Sequence, residues 1–120
     1  MLQNPIGFHE NRETWDNIVN GFADIMLPRD PSLTRDVIDK FGHNMFGGGD
    51  FVFSVSRDFV KKCRTPLLLQ PGTDTPHPAK TSEEIASLAP NLEVQKDWRT
   101  PTHLAESIRR VKEFLTKHTP

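Results

Sequence analysis

Hydrophobic residues at the start of the chain recur at the spacing of a helix. Between Asn11 and Leu27 they fall on one side of a helix, at Trp15, Ile18, Val19, Phe22, Ile25 and Met26. Asn11 is placed to cap this helix at its N-terminus, and Pro28 is placed to end it. The pattern therefore predicts an amphipathic helix over Asn11 to Leu27.

Two more helices are predicted before Cys63. The first runs from about Ser32 to the stop at Gly47, and its inward residues are Leu33, Val37, Ile38 and Phe41. The other takes Asp50 as its cap and carries Phe51, Val52, Val55, Phe59 and Val60. Residues 10–62 thus form a helical segment, which is interpreted either as a compact core or as a lid with an apolar underside.

The pattern changes at Cys63. The run Thr65–Gln70 is typical of a strand buried on both faces. A polar loop, a helix over Ala79–Leu88 and a short strand at Leu92–Val94 follow it. The last helix begins at Thr102, and its apolar residues are Leu104, Ile108, Val111, Phe114 and Leu115. Strands that alternate with helices predict a parallel sheet.

The opening residues Leu2–Gly7 read as one more buried strand that runs into a turn, as though the chain starts within a fold. The expected fold class is therefore α/β, with a small parallel sheet of about three strands, flanking helices and a helical insertion after the first strand. A length of 120 residues suits one domain. Within it, residues 10–62 form the helical segment and residues 63–120 the strand–helix segment.

Charge and composition exclude some classes of binding partner, location and cofactor. Fifteen Lys and Arg against 16 Asp and Glu leave a net charge of −1, which argues against nucleic acid and membrane surfaces as partners. No apolar run approaches the roughly 20 residues that cross a bilayer. The single Cys63 permits no internal disulfide, which favours a reducing, cytoplasmic location. No cofactor is expected, since Gly47-Gly48-Gly49 lacks the strand and the Lys-Ser/Thr of a phosphate loop.

Candidate chemistry lies just past the predicted strands. Asp74 and His77 follow one strand, and His103 follows the next. Loops at the carboxyl ends of neighbouring parallel strands meet at one edge of the sheet, so an acid and an imidazole can come within hydrogen-bonding reach. A metal site formed by Asp74, His77 and His103 is the less favoured alternative, because their spacing is not diagnostic. His9, His43 and His118 are expected to be solvated.

This arrangement resembles the C-terminal part of the α/β-hydrolase fold. The run Leu67–Asp74 is similar to the family's strand and acid loop, and Trp98–His103 to its histidine loop before the final helix. The helical segment occupies the place of the family's inserted cap. The resemblance implies that Asp74 is the acid and His103 the base of a Ser-His-Asp triad. It also implies that His77 and Trp98 line a pocket for an ester-like small molecule.

The chain lacks the nucleophile of the family that it resembles. The family's Gly-x-Ser-x-Gly elbow occurs nowhere in the sequence. Ser54 and Ser56 have no flanking glycines and are interpreted as helix hydroxyls. The chain is therefore expected to be hydrolase-like but inactive alone, as a fragment or as one part of a two-chain enzyme. The alternative is a non-catalytic interaction module. In both cases a second copy or a partner chain would cover an exposed sheet edge at Leu2–Ile6.

Overall fold

A computed structural model describes residues 1–119. The elements in chain order are β1 (Leu2–Gln3), α1 (Arg12–Met26), α2 (Arg35–Phe46), α3 (Arg57–Lys62), β2 (Leu67–Gln70), α4 (Ala79–Leu88), β3 (Leu92–Val94) and α5 (Leu104–His118). The strands form one parallel sheet in the order β1-β2-β3. The expected α/β class, with a small three-stranded parallel sheet and flanking helices, is confirmed.

The central strand is the most buried part of the sheet. Leu68, Leu69 and Gln70 are each at most 2% exposed, as expected of a strand covered on both faces. β1 is shorter than the predicted Leu2–Ile6 edge, because Asn4 has a positive φ of 48° and turns the chain away before Pro5. Only Leu2 and Gln3 therefore pair with β2, opposite Leu69 and Gln70.

Two clusters of buried apolar residues form the core. One lies on the sheet and contains Phe51, Val60, Leu69 and Ile85. The other is aromatic and contains Phe8, Trp15 and Phe46, with Phe53 packed against it. In that second cluster the rings of Trp15 and Phe46 stack at 5.0 Å, and Phe53 meets Trp15 edge-on at 5.0 Å. The helical segment thus has its own aromatic core beside the sheet's core.

The predicted inward faces of α1 and α2 are partly wrong. In α1 the buried residues are Trp15 and Ala23, whereas Ile18, Phe22 and Ile25 are exposed. In α2 the buried residues are Ile38, Gly42 and Phe46, whereas Val37 and Phe41 are exposed. The apolar residues of each helix cover a face about half of its circumference wide, and only part of that face is buried. Hydrophobic spacing alone does not say which part is covered.

The third predicted helix is also corrected. Asp50 does not cap it, because the chain from Asp50 to Val55 is irregular and α3 begins at Arg57. Ser56 is the cap, and its hydroxyl accepts a hydrogen bond from the Phe59 amide at 3.2 Å. In α5, Leu104, Ile108 and Leu115 are exposed, while Phe114 packs inward.

The molecule is elongated. Its Cα radius of gyration is 17.5 Å and its extents are 51 × 35 × 30 Å, whereas a compact chain of this length has a radius of about 14 Å. Helices α1 and α2 pack chiefly on each other. A large part of their surface is therefore left open. No helix within residues 1–119 combines the length and the apolar character that crossing a membrane requires.

Candidate functional site

The loops that leave the three strands open onto one edge of the sheet. They carry five polar residues, which we call the carboxyl-edge cluster: Asn4 after β1, Asp74 and His77 after β2, and Arg99 and His103 after β3. Contacts join the first four of these residues, whereas His103 is bonded within its own loop. This is the edge at which parallel sheets place their ligands. The expectation that the acid loop and the histidine loop lie next to each other therefore has a structural counterpart.

The loop after β2 folds back on itself. The backbone amide of His77 donates to the Asp74 carbonyl at 3.0 Å and to Asp74 Oδ1 at 3.1 Å. The His77 ring also donates from Nδ1 to Asp74 Oδ1. Gly72 permits this tight turn, because a Cβ at that position would lie only 2.5 Å from His77 Cβ. The imidazole that Asp74 binds in this structure is thus the one three residues away in its own loop.

The hydrogen bond from the His77 ring is the main cause that holds the pKa of the Asp74 carboxyl below its ordinary value. The positive charge of Arg99, 3.5 Å from Asp74 Oδ2, lowers the pKa of Asp74 in the same direction. Asp74 is partly exposed, and it is ionised at neutral pH. It can therefore accept a hydrogen bond from an imidazole, as an orienting acid must.

The loop after β3 is fastened to the other two. The Arg99 guanidinium donates to Asn4 Oδ1 at 2.7 Å while facing Asp74. The buried Trp98 indole donates from Nε1 to the Pro71 carbonyl at 2.9 Å. Both side chains precede His103 by a few residues, so they hold the histidine loop beside the acid loop. For Trp98 this is an anchoring contact; its predicted place in a substrate pocket stays a prediction.

His103 lies at the start of α5. Its ring nitrogen Nδ1 is hydrogen bonded to Thr100 Oγ1 at 2.7 Å. Asp74 and His103 therefore lie on adjoining loops, but each has a different partner. Within residues 1–119 the predicted Asp74–His103 hydrogen bond is not formed: the acid is bonded to His77 and the base to Thr100.

Sequence reasoning missed the role of Asn11. It does stand at the N-cap position of α1, but its side chain makes no capping bond. Instead the buried amide donates from Nδ2 to the Gly7 carbonyl at 2.9 Å and to the Thr75 carbonyl at 2.7 Å, and its Oδ1 accepts from Trp15 Nε1 at 3.2 Å. Asn11 thus connects the start of α1 to the loop that bears Asp74.

A second connection joins the helical segment to α4. His9 was expected to be solvated but is largely buried. Its Nε2 donates to Glu84 at 2.7 Å, and its Nδ1 is bonded to Thr81 at 2.9 Å. Glu84 also receives the guanidinium of Arg57, which in turn pairs with Asp50. The hydrogen bond from Arg57 is the largest cause that lowers the pKa of Glu84. Polar contacts therefore hold the segment to the loop after β2 and to α4.

Three further findings bear on function. Among residues 1–119, no group of three or more His, Cys, Asp or Glu side chains is arranged to hold a metal, so Asp74, His77 and His103 do not form the set considered from their spacing. Cys63 is a free, half-buried thiol after α3.

Comparisons with protein-family models, with curated proteins and with solved structures found no match to this chain.

Proposed function

We propose that this chain supplies the acid and the histidine of an α/β-hydrolase-like site that acts on ester or acyl substrates. The observation that carries the proposal is the contact of Arg99 with both Asn4 and Asp74, which joins the loops after all three strands. This contact keeps the loop of His103 beside the loop of Asp74. Loops at the carboxyl edge of a parallel sheet are where such folds carry their chemistry, which supports the proposal.

The proposed roles follow from the chemistry of the two groups. Asp74 would accept a hydrogen bond from His103 Nδ1, which fixes the tautomer and stabilises the imidazolium. His103 Nε2 would then take the proton of a serine hydroxyl and return it to the leaving group. This pairing requires an exchange of partners: His103 Nδ1 must leave Thr100 for an oxygen of Asp74, either Oδ2 or, once the His77 ring is released, Oδ1.

The nucleophile must come from residues other than these. No Gly-x-Ser-x-Gly is present in the sequence, and the hydroxyl of Ser56 is engaged as the cap of α3. A base without an activated nucleophile gives no acyl-enzyme. We therefore expect the purified chain to hydrolyse p-nitrophenyl acetate no faster than free imidazole at the same concentration of rings.

The exchange of partners can be tested by NMR of the histidine rings. In ¹⁵N-labelled His77→Gln protein, Asp74 has lost its local imidazole, and the proposal expects a hydrogen-bonded Nδ1 proton on His103. The matched control is His77→Gln combined with Asp74→Asn, in which this proton signal should be absent. Circular dichroism checks that the variant is folded. If folded His77→Gln protein shows no such proton, Asp74 does not accept a hydrogen bond from His103, and the hydrolase-like site is refuted.

A second candidate function, a non-catalytic interaction module, is favoured by the outer side of β1. Within residues 1–119 no strand pairs with that side. The exposed side chains of Met1, Leu104 and Ile108 lie beside the edge in one shallow groove. An open edge flanked by apolar residues favours pairing with another strand. If the chain associates and Ile108→Glu abolishes the association while no histidine hydrogen bond to Asp74 forms, the module is the better description.

A further inference from the structure

The side chain of Asn11 is buried and makes three hydrogen bonds. Asn11 is 5% exposed. Its Nδ2 donates to the Gly7 carbonyl at 2.9 Å and to the Thr75 carbonyl at 2.7 Å, and its Oδ1 accepts from Trp15 Nε1 at 3.2 Å. A carbonyl can only accept and an indole N–H can only donate, so these three partners allow one orientation of the amide.

Two of the three partners belong to packed parts of the structure. Gly7 lies against α4, since a Cβ on Gly7 would be 2.1 Å from Thr81 Oγ1. The Trp15 ring is buried in the aromatic cluster. The third partner, the Thr75 carbonyl, lies in the loop between β2 and α4. Asn11 therefore ties a carbonyl of this loop to a packed framework.

Thr75 lies in the turn that presents Asp74. The His77 amide donates to the Asp74 carbonyl at 3.0 Å, which makes Thr75 and Pro76 the two central residues of the turn. Proline suits neither common turn type at the third position. In type I it forces the residue before it out of the helical region, and type II requires a positive φ that the proline ring forbids. The local sequence alone therefore does not hold this turn, and Asn11 holds the carbonyl of its central peptide.

The turn sets the direction of both carboxylate oxygens of Asp74. Asp74 Oδ1 accepts from the His77 amide at 3.1 Å and from the His77 ring. Asp74 Oδ2 faces the Arg99 guanidinium at 3.5 Å. A rotation of the central peptide would change the turn type and move Asp74 relative to both partners. The direction in which the carboxylate meets an imidazole therefore depends on the Thr75 carbonyl.

We propose that Asn11 is a positioning residue for Asp74: by holding the Thr75 carbonyl, it fixes the turn that presents the carboxylate. The inference deepens the proposed function and rests on it for the use of Asp74 as an orienting acid. Asn11 acts through Thr75 and is not itself catalytic. The residue that precedes α1 thus links the helical segment to the acid of the site.

NMR of the Asp74–His77 pair tests the proposal in otherwise wild-type protein. In Asn11→Ala the hydrogen-bonded proton on His77 Nδ1 should be lost. The pKa of the Asp74 carboxyl should rise toward its ordinary value, because the bond from His77 is the largest cause that lowers it. Asn11→Ser keeps a residue favoured at the start of a helix but has a shorter side chain, and it should give the same result. Circular dichroism checks that each variant is folded.

The matched control is Trp15→Phe. It removes the indole donor and leaves both donors of the Asn11 amide, so it should lower the stability in urea while the His77 proton and the Asp74 titration stay unchanged. If Asn11→Ala and Asn11→Ser lower the stability but leave both signals unchanged, Asn11 has only a structural role and the proposal is overturned. The proposal also fails if Trp15→Phe changes both signals as much as Asn11→Ala, because any loosening of α1 would then suffice.

This outcome is separable from that of the hydrolase-like site. Both signals report on Asp74 and His77 as they are paired here, so the positioning role can be supported even if His77→Gln gives no bond between Asp74 and His103. Where that bond does form in His77→Gln, adding Asn11→Ala should remove it. A bond that persists overturns the positioning role and leaves the proposed function intact.

Discussion

Two helical glycines, Gly21 in α1 and Gly42 in α2, should respond in opposite ways to the same substitution. Alanine in place of glycine inside a helix stabilises it by up to about 1 kcal/mol. A Cβ at Gly21 meets no atom within 4 Å, so Gly21→Ala should show this gain. At Gly42 the Cβ would lie 2.5 Å and 2.8 Å from the two Cγ atoms of Val19. We expect Gly42→Ala to destabilise the fold.

The size of the difference follows from two opposing effects. Overpacking at a helix contact costs roughly 1–3 kcal/mol, which the gain in helix propensity of up to about 1 kcal/mol offsets in part. The two variants should therefore differ in the free energy of unfolding by about 1–3 kcal/mol. With a urea dependence of about 1.5 kcal/mol/M, their midpoints differ by roughly 0.7–2 M. Equilibrium urea unfolding, followed by Trp fluorescence at one protein concentration, measures this directly.

A double-mutant cycle identifies the cause. Val19→Ala removes both Cγ atoms that the new Cβ would meet. Gly42→Ala should then cost at least about 1 kcal/mol less in the Val19→Ala background than in the wild type. If Gly42→Ala unfolds at the same urea concentration as Gly21→Ala, or if the cycle shows no coupling, the close approach of α1 and α2 is wrong.

Three further outcomes are expected. Gln70→Leu should lower stability by roughly 1–3 kcal/mol in urea unfolding, because the buried amide donates to Ser107 at 2.8 Å and a leucine leaves that hydroxyl unpaired. Asn11→Ala should cost a similar amount and speed hydrogen exchange in the loop around Thr75, whose carbonyl loses its donor. The pKa of Glu84 is lowered from 4.5 in the folded state, so this carboxylate stabilises the fold above that pH and ceases to do so as the pH falls through its folded pKa. Glu84→Gln should therefore flatten the loss of thermal stability on acidification below about pH 4.5, whereas an unchanged acid profile would contradict this role.

The sequence predicted the strand–helix half of the chain closely. The helix Ala79–Leu88 and the strand Leu92–Val94 have the bounds that the pattern indicated. Local signals are strong there: a buried apolar run, a proline-rich loop and a break at Pro90. The helical segment was predicted less well, because the position of a helix is local information, whereas the part of its apolar face that is buried depends on the neighbouring element. Phe22 and Phe41 are spaced like core residues and lie outside the core.

For the candidate site, sequence reasoning identified the loops and missed the pairings. The order of the strands indicated that Asp74 and His103 would lie on adjoining loops. It could not show that the His77 ring, three residues from Asp74, would reach the carboxylate first. The buried position of His9 was missed because its partner Glu84 is 75 residues away in the sequence. Contacts between distant residues leave no periodic signal.

The hydrogen bond between Asn11 and the Thr75 carbonyl has a consequence for the order of folding. It spans 64 positions of the chain, so its gain arrives only after a long loop has been closed. We expect the start of α1 to take its native position late, after β2 and its exit loop have formed. A kinetic φ-value near zero for Asn11→Ala, beside a clearly higher value for Leu69→Ala in β2, would support this order. A φ-value near one for Asn11→Ala would place the contact in the folding nucleus instead.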